Sequence, residues 1–96
     1  MAAYVIVDIQ IHDSETYDEY KRLASGSVSH YGGRYLARGG AVDVLEGDWI
    51  PHRLVILEFP DVHRAKEWLH SPEYAPMKAL RHKSANSNMV VIEGVH

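Results

Sequence analysis

Ninety-six residues, 46% of them hydrophobic and 24% charged, fit one soluble globular domain over residues 1–96 and not a disordered segment. Ten Lys+Arg against 13 Asp+Glu leave a formal charge of −3, so the chain carries no basic footprint for nucleic acid or an anionic membrane. The absence of cysteine excludes disulfides, thiolate metal sites and a Cys nucleophile. The longest apolar run, Met1 to Val7, is too short to span a bilayer and lacks the charged start of a signal peptide, which points to the cytoplasm.

The run Tyr4–Ile11 is rich in β-branched residues. Val5, Val7, Ile9 and Ile11 share one face, and Tyr4, Ile6, Asp8 and Gln10 the other, so a strand with one fully apolar side is predicted. From Asp13 the period changes to three and four residues through Tyr17, Tyr20, Leu23, Ala24, Val28 and Tyr31. Asp13 or Ser14 caps this helix, Gly32 stops it, and Gly26 within it is a weak point costing about 1 kcal/mol against Ala. Arg34 to Glu46 reads as an extended arm bent or bulged at Gly39–Gly40, followed by a turn at Gly47–Pro51.

Arg53–Phe59 is the most strand-like run, closed by Pro60. Asp61 caps a second helix with Val62, Ala65, Trp68 and Leu69 on its apolar face. Ser71-Pro72 restarts that helix and carries Tyr74, Met77 and Leu80 inward. Ala85–Asn88 reads as a polar turn before a last strand, Met89–Glu93. The order is β-α-β-β-α-β, an α+β ferredoxin-like domain with two helices on one face of a four-stranded antiparallel sheet. The strands beginning at Tyr4 and Arg53 take its centre.

On this arrangement Tyr4, Ile6, Leu54 and Ile56 lie on the sheet face away from the helices. A face left in water should be mostly polar, and this one is about half apolar. A second copy offers the same surface in return, so a homodimer packed through the helix-free sheet face is predicted.

The segments YGGRYLARGG (Tyr31–Gly40), LEGDWIPHR (Leu45–Arg53), LEFP (Leu57–Pro60) and SPEY (Ser71–Tyr74) resemble the bacterial domain-of-unknown-function family numbered thirteen-thirty. The resemblance runs from Tyr4 to Gly94. It implies the dimeric α+β barrel group, whose wider membership includes cofactor-independent monooxygenases, muconolactone isomerase and haem-binding peroxidase-like enzymes. Chemistry transfers across such a group only by analogy. Leu69 stands where that family often has Tyr, and Ala75 where it often has Gln, which removes a phenol and an amide beside the expected cleft.

Candidate site residues are the ionisable groups on strands. Asp8 and Glu58 fall on the central strands, and the spacing of Arg34 and Arg38 puts both on one face of the second strand. In a functional reading Arg38, with Arg34, clamps a carboxylate or enolate, and Asp8 or Glu58 acts as general base. In the alternative, which the residues favour, the same charges form a buried salt-bridge network that sets dimer register. Trp68 and Tyr74 are core residues that line an apolar ligand pocket if the core has a gap. Seven histidines show no metal-ligand spacing, His63 and His70 beside Glu67 making only a weak set, so no metal is expected. The double glycines match no phosphate-binding loop, and no cofactor is expected. The reading is an uncharacterised homodimeric small-molecule-binding domain. A cofactor-independent monooxygenase or isomerase acting on a small aromatic or enolic acid is the alternative.

Overall fold

The computed structural model describes residues 1–95; His96, one of the seven histidines, lies outside the described residues. The elements are β1 (Ala3–Ile11), α1 (Ser14–His30), β2 (Arg34–Arg38), β3 (Arg53–Phe59), α2 (Val62–Leu69), α3 (Ala75–Ser84) and β4 (Ala85–Glu93). The four strands form one sheet in the order β2-β3-β1-β4, every neighbouring pair antiparallel. This is the ferredoxin-like order, with β1 and β3 central as the sequence predicts. The extents, 32 × 30 × 16 Å, are those of a two-layer slab: helices on one face of the sheet and none on the other.

β1 alternates as its pattern demands. Val5, Val7 and Ile9 are buried under the helices, opposite Leu57, Val55 and Arg53 of β3. Asp13 caps α1, accepting from the Thr16 N–H at 3.2 Å and the Thr16 hydroxyl at 2.7 Å. α1 passes through Gly26 without a break and ends where Gly32 takes φ +79 and the Gly33 N–H donates to the Val28 carbonyl. Gly33 is required by contact, since a Cβ there would lie 2.6 Å from the Phe59 ring.

The structure departs from the sequence reading in the number of helices and in where the last strand begins. The second crossover holds two helices, not one, giving three in all. Ser71 caps as expected, its hydroxyl accepting from the Tyr74 N–H at 3.1 Å, but Pro76 has no N–H to donate to the Pro72 carbonyl, so α3 starts only at Ala75. Ala85–Asn88 is strand and not turn: Ile11, Gln10, Ile9 and Asp8 pair with Ala85, Asn86, Ser87 and Asn88. A long β1 supplies the pairing partners, and these outweigh the low strand propensity of Asn and Ser. β2 ends at Arg38, and the arm beyond Gly39 (φ +72) forms no further strand before β3.

The core is an aromatic row between α1, α2 and the sheet. Phe59, Trp68, Tyr74, Tyr20 and Tyr17 succeed one another with ring centroids 4.3–6.4 Å apart. Its buried polar atoms are paired: the Trp68 indole N–H donates to the Ser27 hydroxyl at 3.1 Å, which donates to the Ala24 carbonyl at 2.7 Å. Among the described residues no helix is long and apolar enough to cross a membrane.

Candidate functional site

The sequence-predicted site residues divide between the two faces of the sheet. Asp8 and Glu58 lie on the helix-free face, as their parity requires. Arg34 joins them, pairing across the strands with Glu58 through an Nε–Oε1 contact of 2.7 Å. Arg38 does not. A bulge between Tyr35 and Ala37 inserts Leu36 as an extra residue, so the alternation slips by one and Arg38 pairs with Val55 on the helix side. The expected shared face of Arg34 and Arg38 is thereby overturned, because one unpaired residue reverses every side chain after it.

Asp8 is buried, yet it faces no second strand carboxylate. The arm between β2 and β3 folds back over it: the Trp49 indole N–H donates at 3.1 Å, the His52 backbone N–H at 2.8 Å, and the His52 ring lies 3.6 Å away. Burial alone would push the Asp8 carboxyl up; the His52 N–H, the Trp49 indole and the nearby His52 ring outweigh it and hold the group below the ordinary carboxylate range. Around this anchor the helix-free face exposes Val90, Ile92 and Trp49. Ile6 and Ile56 are half-covered between them.

On the helix side, Arg38 lies over the Tyr35 ring with its guanidinium carbon 4.2 Å from the centroid. It donates to the Ser25 hydroxyl at 2.9 Å and the Lys21 carbonyl at 2.7 Å, tying β2 to α1. Arg53 repeats the arrangement one strand over, 5.6 Å from the Tyr17 centroid and donating to its hydroxyl at 3.2 Å. Trp68 and Tyr74 are fully buried. The Tyr74 hydroxyl is shared with Tyr20 at 2.8 Å and receives Arg81 Nε at 3.3 Å, while Arg81 Nη1 reaches Ser87 at 2.9 Å. Burial, reinforced by Tyr74, pushes the Tyr20 phenol far up, so it stays protonated and serves as a hydrogen-bonding group, not a base.

A cleft of about 390 Å3 opens between α2 and the β1–β4 edge, walled by Val5, Ala65, Trp68, Leu69, Met89 and Val91, with Lys66 and His70 also lining it. Further in, a gap of only about 20 Å3 lies between sheet and helices, lined by Tyr17, Tyr20, Tyr35, Arg38, Trp68 and Met89 among others. Trp68 thus lines the open cleft and the inner gap, whereas Tyr74 is sealed behind it.

Sequence reasoning missed Tyr35, Arg53, Arg81 and the Trp49–His52 anchor. Arg81 had one readable sign, a base on the inward stripe of α3; the others depend on the bulge and the fold of the arm. Of the weak histidine set, Glu67 lies 3.5 Å from His63 and is also engaged by Arg64. Among the described residues no three His, Asp or Glu side chains converge as metal ligands.

The chain matches the family described as "Domain of unknown function (DUF1330)" over residues 2–95, and it belongs to that family. No curated protein matches it. Among solved structures it is similar to a protein of unknown function from Rhodopseudomonas palustris, at 18% identity and a TM-score of 0.78, covering 99% of this chain and 83% of that one. A dimeric ferredoxin-like protein of unknown function from Jannaschia sp. CCS1 is similar at 15% identity and a TM-score of 0.71, covering 98% and 100%. SnoaB, a cofactor-independent oxygenase from Streptomyces nogalater, is similar at 11% identity and a TM-score of 0.65, covering 99% and 94%. At these identities the likeness is one of fold.

Proposed function

We propose that this DUF1330 protein is a homodimeric domain that binds a small apolar molecule, a ring or short chain, in the cleft between α2 and β4. The observation that carries the reading is the cleft itself, about 390 Å3 of mostly apolar space against Trp68 in a chain of 96 residues. Ligand sites of roughly 300–1,000 Å3 with an aromatic wall and a few polar groups are the usual form of small-molecule pockets. Lys66 and His70 supply the polar groups here.

The dimer closes helix-free face on helix-free face, giving the two-sheet barrel. The four strands, nine, five, seven and nine residues long in chain order, at about 3.4 Å per residue and about 4.8 Å apart present a face of roughly 490 Å2. Adding the arm with Trp49 and Ile50 brings it toward the ~800 Å2 per partner of a stable interface. The Jannaschia protein, described as dimeric, supports a dimer. In this reading Asp8 and Glu58 position the arm and β2 at the interface, and Arg34 is a register-setting partner rather than a ligand clamp.

The oxygenase or isomerase reading finds support in the SnoaB likeness and in Arg38, whose guanidinium borders the inner gap. It needs a base other than Asp8 or Glu58, because these two stand across the sheet from Arg38.

Titration with indole, followed by amide and indole N–H chemical shifts, tests the binding reading. Shifts centred on Val5, Trp68, Leu69 and Met89 are the expected result. A spectrum unchanged at millimolar indole refutes it. Sedimentation gives the assembly: twice 10.9 kDa at micromolar concentration is expected, and a 10.9-kDa species alone refutes the dimer.

A further inference from the structure

Three cavities stand in a row across the helix–sheet interface. The outer cleft and the inner gap share two walls, Trp68 and Met89. The inner gap shares Arg38 with a third hollow of about 440 Å3 on the far side, lined by Asp18, Lys21, Arg22, Arg38 and Arg53. That last hollow sets four cations against one carboxylate in a chain whose net charge is −3. Asp18 is already spoken for by Lys21, 3.8 Å away. Among the described residues neither Arg38 nor Arg53 has a carboxylate within 4.0 Å.

Both arginines are built into place. Each is stacked on a tyrosine of the gap and hydrogen-bonded there, Arg38 through two donors and Arg53 through one, leaving most of their five N–H groups for other partners. Gly39, at φ +72, makes room for the second: a Cβ at that position would collide with the Arg53 guanidinium. The two cations therefore flank the mouth of an aromatic passage whose other end is apolar.

We propose that the three cavities form one tunnel that takes an amphipathic carboxylate, its anionic head held between Arg38 and Arg53 and its apolar body passing Tyr17 and Tyr35 toward Trp68. The inference rests on the ligand-binding reading above and names the ligand class. The gap of about 20 Å3 holds roughly one water, so the body must displace a wall. Trp68 is fixed by its Ser27 hydrogen bond and by stacking on Phe59 and Tyr74. Met89 is half-buried, and an unbranched thioether swings with little cost, so Met89 is the wall that moves.

Calorimetry with 4-phenylbutanoate and its uncharged amide, 4-phenylbutanamide, tests this on the full chain. The acid should bind about tenfold more tightly than the amide at low salt, since a hydrogen bond to a charged group is worth that much. Raising the salt should erode the acid's advantage, and Arg38→Gln should reduce it to about twofold or less while amide binding persists. Equal affinity of acid and amide in the wild type overturns the proposal and leaves the apolar cleft standing. Silence from both probes with indole still bound at Trp68 does the same. Failure of all three probes overturns tunnel and cleft together. If Arg38→Gln fails to fold, Arg53→Gln and the wild-type salt series decide by the same criterion.

Discussion

Ile56 sits in the middle of the helix-free face, in one cross-strand row that runs Ala37, Ile56, Ile6 and Val90 from β2 to β4. Ile56→Asp is the sharpest test of the assembly. The side chain is half-covered in the protomer, so pairing hides about half of a full isoleucine, roughly 1 kcal/mol per copy. Two-fold symmetry doubles that to about 2 kcal/mol. Two carboxylates driven into the seam without partners add about 1–3 kcal/mol each. The sum, about 4–8 kcal/mol, raises the dissociation constant at least about a thousandfold. Sedimentation equilibrium over a dilution series reads this directly, and thermal melting gives a second view. The wild-type midpoint should climb with protein concentration because the folded state is the associated one, while that of the variant should not. A folded Ile56→Asp protein with the wild-type dissociation constant would refute the face-to-face assembly.

Three further outcomes follow from local geometry. Because the folded-state pKa of Asp8 is depressed, its contribution to stability is present above the ordinary value of 3.8 and drains away as pH falls through the lower folded value; Trp49 fluorescence should report the arm loosening in that range, and Asp8→Asn should flatten the acid limb. Gly26→Ala should stabilise the protein by about 0.5–1 kcal/mol in urea unfolding, since a Cβ there meets nothing within 4 Å and α1 is regular through it. Ser27→Ala should cost about 1–3 kcal/mol in the same assay by stranding the buried Trp68 indole N–H, whereas Ser29→Ala on the exposed side of α1 should cost little.

What could be read from residues alone was whatever repeats with the period of its own element. The two-residue alternation of β1 and β3 placed Val5, Val7, Val55 and Leu57 inward and Ile6, Asp8, Leu54 and Ile56 outward, and the capping aspartates Asp13 and Asp61 fixed the helix starts. Wherever position depends on a partner far along the chain, the pattern was silent. The Leu36 bulge has no composition of its own, so Arg34 and Arg38 looked coplanar when they are not. Asn86 to Asn88 are strand only because β1 is long enough to pair with them. Leu23 fits the apolar stripe of α1, yet it is exposed, because the helix rotates to give its buried arc to Tyr17, Tyr20, Ala24 and Val28. The cleft, the gap and the arm across Asp8 are absences and approaches between distant segments, which no local period encodes.

The extra residue in β2 has a reach out of proportion to its size. Deleting Leu36 would leave Arg38 opposite Val55 on the helix side, whereas straightening the bulge with Leu36 kept in the ladder would carry Arg38 to the same side as Arg34, emptying the tyrosine-lined mouth of one guanidinium and adding a like charge beside another. Net charge, composition and length would hardly register the event. In a sheet whose two surfaces serve different purposes, the destination of a charge is set by strand register, and a family comparison that counts the residues between two arginines without locating the bulge would assign the second to the wrong side.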